Sequence, residues 1–128
     1  MRDTPEQNPL TDTLAALRAE LDEVEPTAPD EAVHHLSRAR TLLDTALDEA
    51  MALATLSGAS VRSVALTAGV APNTVAPRLA RTAALGAYQA AGRVGSAGIE
   101  RARHDQEEGR YAPAPQPGEP LRFRRRQD

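Results

Sequence analysis

The chain has no cysteine, no lysine and no tryptophan, and its aromatics are limited to Tyr88, Tyr111 and Phe123. Without cysteine there can be no disulfide, thiolate metal site or cysteine nucleophile. Without bulky aromatics, a core must be made from small and branched aliphatics. Ala and Leu dominate the apolar share, and both favour helices, whereas strands favour β-branched and aromatic residues. The composition therefore implies an all-α fold. No run approaches the roughly 18 apolar residues of a membrane span. A charged segment followed by an apolar one, the pattern of a secretory signal, is also missing. These absences imply a cytoplasmic protein with no membrane partner. All fifteen basic residues are Arg, a bias typical of a high-GC genome.

One further absence is local. The net charge is −3, but residues 1–64 hold five Arg against twelve acidic residues, while residues 65–128 hold ten Arg against six. Between Glu49 and Glu100 there is no Asp or Glu, although Arg62, Arg78, Arg81 and Arg93 lie there. A surface that must approach phosphates loses affinity with each carboxylate it carries, so this window suits a polyanion. The alternative is an alanine-rich buried helix pair with few charges of either sign.

Hydrophobic spacing organises the rest. Residues 1–28 form an N-terminal arm and a short amphipathic helix starting at Thr11 or Asp12. Its stripe is Leu10, Leu14, Leu17, Leu21 and Val24, spaced four and three apart. That stripe must be covered, either by the next helix or by the same helix of a second chain, which makes these five residues dimerisation candidates. Pro26 and Pro29 interrupt the pattern. A long helix follows from about Pro29 to Leu56, with Thr27 or Asp30 as cap and Gly58 as a left-handed stop. Residues 29–95 form a helical domain, in which Ala83 to Ala91 is expected to continue helically. A polar helix occupies 96–110, with Glu100–His104 and Arg101–Asp105 as i,i+4 pairs. Residues 111–128 read as a disordered Pro- and Arg-rich tail.

The central stretch, residues 60–82, carries the most specific pattern. Ser60 can cap a helix. Ala65 is small, as a close helix crossing demands. Gly69 stands where a turn needs a left-handed residue. Val64, Leu66, Val70, Val75 and Leu79 supply inward faces, and Pro72 suits the first turn of a second helix. On this Ala65–Gly69–Val70–Val75 pattern, the segment Ser60–Arg81 resembles the bacterial helix-turn-helix DNA-binding family. The resemblance covers 22 of the 128 residues. It departs from the family at Ala71, where a Ser or Thr cap is common, and at Pro77. If the second helix starts at Pro72, Pro77 removes an internal hydrogen bond; if Thr74 is the cap, none is lost.

The resemblance implies a second helix lying in the major groove, with Pro72, Asn73, Thr74, Ala76 and Pro77 facing base edges. Asn73 would then bond adenine, Ala76 and Pro77 would touch a thymine methyl, and Arg78 and Arg81 would reach phosphate or guanine. Arg62 would clamp the backbone. The tail residues Arg122, Arg124, Arg125 and Arg126 would enter a minor groove or follow phosphates. The expected partner is double-stranded DNA bound by a homodimer, and the expected function is that of a small sequence-specific transcriptional regulator associated with the nucleoid. An adaptor or assembly subunit acting through protein contacts of the N-terminal helices, and a non-specific nucleoid protein, are the alternatives. His34 and His35 are adjacent and so diverge on a helix, which does not suit one metal. With no phosphate loop and no nucleophile–base constellation, the chain reads as a non-enzyme without cofactor or metal.

Overall fold

A computed structural model describes residues 8–111, 113 and 114. Five α-helices account for most of them: α1 (Pro9–Asp22), α2 (Pro29–Leu56), α3 (Val61–Ala68), α4 (Val75–Ala80) and α5 (Ser96–Glu107). No strand occurs among the described residues beyond an isolated bridge between Ala90 and Arg93. The architecture is all-α. No helix among the described residues is long and apolar enough to cross a membrane. Most of the expected disordered tail, with Arg122, Arg124, Arg125 and Arg126, lies outside the described residues; its start is instead tied to the body, the Ala114 N–H donating to the Ala83 carbonyl at 2.6 Å.

Helix α1 starts earlier than its apolar spacing suggests. Asn8 accepts a hydrogen bond from the Leu10 N–H at 2.9 Å, and Pro9 takes the first helical position, where its missing N–H costs nothing. Helix α2 begins at Pro29 without a side-chain cap; Asp30 and Glu31 instead place negative charge in its first turn. It ends at Leu56, and Gly58 follows with φ 115°.

Helices α1 and α2 form an antiparallel hairpin joined by the short Pro26 turn. The stripe of Leu10, Leu14, Leu17 and Val24 is half-buried against α2 of the same chain, whereas Leu21 remains 45% exposed. The seam is closed by Glu20, which accepts from His35 Nδ1 at 2.6 Å and from Arg38 Nε at 3.2 Å. The His35 hydrogen bond is the main cause that holds the Glu20 carboxyl below its ordinary value.

The core lies at the other end of α2. Met51, Ala52 and Leu56 pack with Val64 and Ala65 of α3, Val75 and Leu79 of α4, and Ile99 and Ala102 of α5. Arg103 of α5 donates through Nε and Nη2 to the Thr55 carbonyl at 2.9 and 2.7 Å. Those bonds satisfy a carbonyl in the last turn of α2, where a cation is also favoured by the helix dipole. Tyr88 stacks on Tyr111 with ring centroids 6.1 Å apart, and the Tyr111 hydroxyl donates to the Ala84 carbonyl.

Two sequence expectations fail locally. The segment 83–91 does not continue as an α-helix: α4 stops at Ala80, and only a 3-10 turn, Gly86–Tyr88, follows. Side chains have taken the N–H groups that would extend the helix. Glu49 Oε2 accepts from Ala83 N at 2.6 Å, and Thr82 Oγ accepts from Leu85 N at 3.1 Å. In α5, Asp105 accepts from the Tyr88 hydroxyl at 3.0 Å and faces Arg110 at 3.5 Å, while Arg101 lies over the Tyr88 ring.

Candidate nucleic-acid interface

The segment from Ser60 to Arg81 builds two short helices, α3 and α4, both packed on α2 and joined through the Gly69 turn and a 3-10 turn. Ser60 caps α3, its hydroxyl accepting from Ser63 N at 3.0 Å. Ala65 is 1% exposed and faces the core. Gly69 ends α3 in the left-handed region with φ 75°, and the Val70 N–H returns to the Ala65 carbonyl at 3.0 Å. Ala71 is extended, as a residue before proline must be. A 3-10 turn, Pro72–Thr74, then leads into α4.

Thr74 occupies the cap position of α4, so Pro77 falls third in the helix, where no intrahelical hydrogen bond is lost. Helix α4 is correspondingly short at six residues. Val75 and Leu79 are fully buried and anchor it. Leu66 does not serve the inward face expected of it: it is 82% exposed, because Val64 and Ala65 already fill the side of α3 that meets the core.

The outer surface of this unit gathers most of the candidate contacts. Asn73, Thr74, Pro77, Arg78 and Arg81 line one shallow depression. Pro72 is exposed beside it and Ala76 is half-buried. Arg62 is exposed on α3, outside the depression.

Two features of this surface were not legible in the sequence. The first is a counter-charge. Asp48 of α2, 9% exposed, accepts from Arg78 Nη1 at 2.8 Å and lies 3.6 Å from Arg81 Nη2. The acid-free window therefore receives an acid from a helix thirty residues upstream. Arg78 is held in one orientation, its side chain 27% exposed, whereas the Arg81 side chain is 69% exposed. A heptad reading of α2 could have exposed Asp48 and Glu49 as charges on a helix that must be contacted from two sides.

The second feature is a two-residue turn. Ala90 and Arg93 exchange backbone hydrogen bonds at 2.8 and 3.1 Å around Ala91 and Gly92, with φ 56° and 77°. Positive φ at both central residues is the geometry of a tight hairpin turn. Gln89 Oε1 accepts from Gly92 N, and the Val94 N–H bonds the Ala76 carbonyl at 3.0 Å, which ties the turn to α4. Gly92 completes the depression, and Arg93 is exposed next to it in the chain. Ala at the first turn position hid this hairpin, since Asn or Gly is the usual signal.

No family model, curated protein or solved structure matches the chain.

Proposed function

We propose that the chain is a small DNA-binding protein, a sequence-specific regulator of transcription, in which α3, the Gly69 turn and α4 act as a helix-turn-helix. The observation that carries this reading is the convergence of Asn73, Thr74, Pro77, Arg78 and Arg81 on one exposed depression. Asn73 offers both ends of an amide to an adenine edge, and the two Arg supply charge for phosphate or guanine. The Gly92–Arg93 turn adds a contact that reaches the DNA beside α4. Asp48 then acts as a positioning residue: it orients Arg78 in the free protein and yields Arg81 to phosphate.

The test is duplex binding by fluorescence anisotropy across a salt series, on fragments selected from a random pool. Each neutralised phosphate contributes about −0.9 to the log–log salt slope. Replacing Arg78 and Arg81 by Ala should make the slope shallower by about 1 to 2 and weaken binding to all duplexes. An unchanged slope, or no duplex binding at low salt, overturns the reading. One observation favours the second reading, an adaptor acting through protein contacts: the Asp48 pairing already neutralises part of the candidate surface. That reading gains if the selected pool shows no enrichment.

A further inference from the structure

The N-terminal half of α2 carries an apolar stripe that nothing in the described chain covers. Val33 is 68% exposed, Leu36 48% and Leu43 55%. Their spacing of three and seven places them on one side of the helix, and Leu47 continues it. Helix α1 packs along the neighbouring side, where His35 meets Glu20 and Ala39 is buried. Toward the C-terminal end the stripe runs into a groove of about 320 Å³. Leu47, Ala50 and Ala54 of α2 form one wall of this groove, and Val64, Thr67 and Ala68 of α3 form the other.

We propose that this face binds the same face of a second copy, with the two α2 helices antiparallel about a two-fold axis near residues 41 and 42. Self-complementarity is the reason for choosing a second copy as the occupant. In this register Leu36 of one copy opposes Leu47 of the other, and Val33 opposes Ala50. The large residues at the start of the stripe thereby enter the groove of small residues at its end. Arg40 interrupts the stripe at its centre, which would be unfavourable against an apolar partner. Here it lies over Leu43 of the other copy, beside that copy's Asp44. Arg40 and Asp44 are both exposed and form no ion pair with the other described residues. The two-fold axis makes that ion pair twice.

The same register has a consequence that rests on the DNA-binding reading. At 100° per residue, Asp48 lies on the side of α2 opposite Ala39, with the stripe between them. A two-fold through the stripe therefore puts both α4 helices on one side of the dimer and both α1 helices on the other. Ala52, at the centre of the core, lies about ten residues from the axis, so the two domains are about 32 Å apart along α2 at 1.5 Å per residue. One turn of DNA separates half-sites by about 34 Å.

Sedimentation equilibrium of the full chain, at concentrations up to about 100 µM, should give twice the 13.6 kDa chain mass. Leu43→Arg should weaken association at least about a hundredfold, because it sets a second cation against Arg40 of the other copy at the centre of the interface. Its circular dichroism should stay helical, since Leu43 is exposed in the single chain. Arg40→Asp should weaken association, and Arg40→Asp with Asp44→Arg should restore it. The absence of native cysteine allows a register test. A mixture of Leu36→Cys and Leu47→Cys chains should cross-link with a short dimaleimide, whereas Leu36→Cys alone should not. A wild-type monomer at all concentrations, a dimer indifferent to Leu43→Arg, or efficient cross-linking of Leu36→Cys to itself overturns the proposal. The two proposals fail separately. A dimer with this register that binds no duplex refutes only the DNA reading, and a monomer that binds DNA refutes only the interface.

Discussion

Glu49 allows the worth of its hydrogen bonds to be separated from the cost of burying its charge. It is 3% exposed. Oε2 accepts from Ala83 N at 2.6 Å, while Oε1 is buried with no hydrogen-bond partner among the described residues. Burial is the main cause that raises its carboxyl above the ordinary 4.5; the neighbouring Asp48 charge adds to the rise, and the Ala83 and Ala84 N–H groups oppose it. Glu49→Ala leaves the Ala83 N–H stranded in the core, a loss of about 1–3 kcal/mol, and opens a small cavity. Relief of the buried charge offsets part of this, leaving a net destabilisation of about 2 kcal/mol. For a domain of about 100 residues that lowers Tm by about 10 °C. Glu49→Gln keeps an acceptor for Ala83 and removes the charge, so it should lie within about 1 kcal/mol of wild type at neutral pH.

The pH dependence carries the sign. A folded carboxyl with a raised pKa retains its proton above pH 4.5, where the unfolded chain has released it. The folded state binds more protons there, so the contribution is fully present below pH 4.5 and is lost as pH rises through the folded value. Urea unfolding followed by circular dichroism, from about pH 5 to 8, should therefore show wild type losing stability relative to Glu49→Gln as pH rises. A difference that moves in favour of wild type as pH rises refutes the reasoning. So does a Gln variant as unstable as the Ala variant.

Two other substitutions probe the same region. Asp48→Asn removes the partner of Arg78 and Arg81; because the pair is only partly buried, the stability loss should be about 1 kcal/mol by thermal melting. If Asp48 positions Arg78 for the duplex, the same variant should bind it several-fold more weakly; tighter binding with a steeper salt slope would show that Asp48 only neutralises this surface and would refute the positioning role. Gly98→Ala would set a Cβ 2.8 Å from the Tyr88 carbonyl oxygen and 3.3 Å from Val94 Cγ1. Denaturant midpoints should register a loss of about 1–3 kcal/mol from this overpacking, and a neutral result would mean that α5 can shift away from Tyr88.

Local rules determined a good deal of this molecule. The bounds of α2, Pro29–Leu56, follow from its apolar spacing between Pro29 and Gly58, and those of α5 from a polar stretch bounded by glycines. Ser60 as cap and Gly69 at positive φ follow from backbone chemistry that acts within four or five residues. Position alone identified Val75 and Leu79 as anchors, and the choice at Pro77 was narrowed to two outcomes. What the sequence could not decide depended on residues far apart in the chain. Asp48 reaches Arg78 across thirty positions, and Glu49 draws the Ala83 N–H out of a helix whose propensity favoured continuing. The Leu10–Val24 stripe needed a partner on any reading; only packing assigned it to α2 of the same chain and left the α2 stripe uncovered. Propensity and capping are short-range and additive along the chain. The pairing of charges and the covering of apolar faces depend on which surfaces meet, and only the tertiary structure determines that.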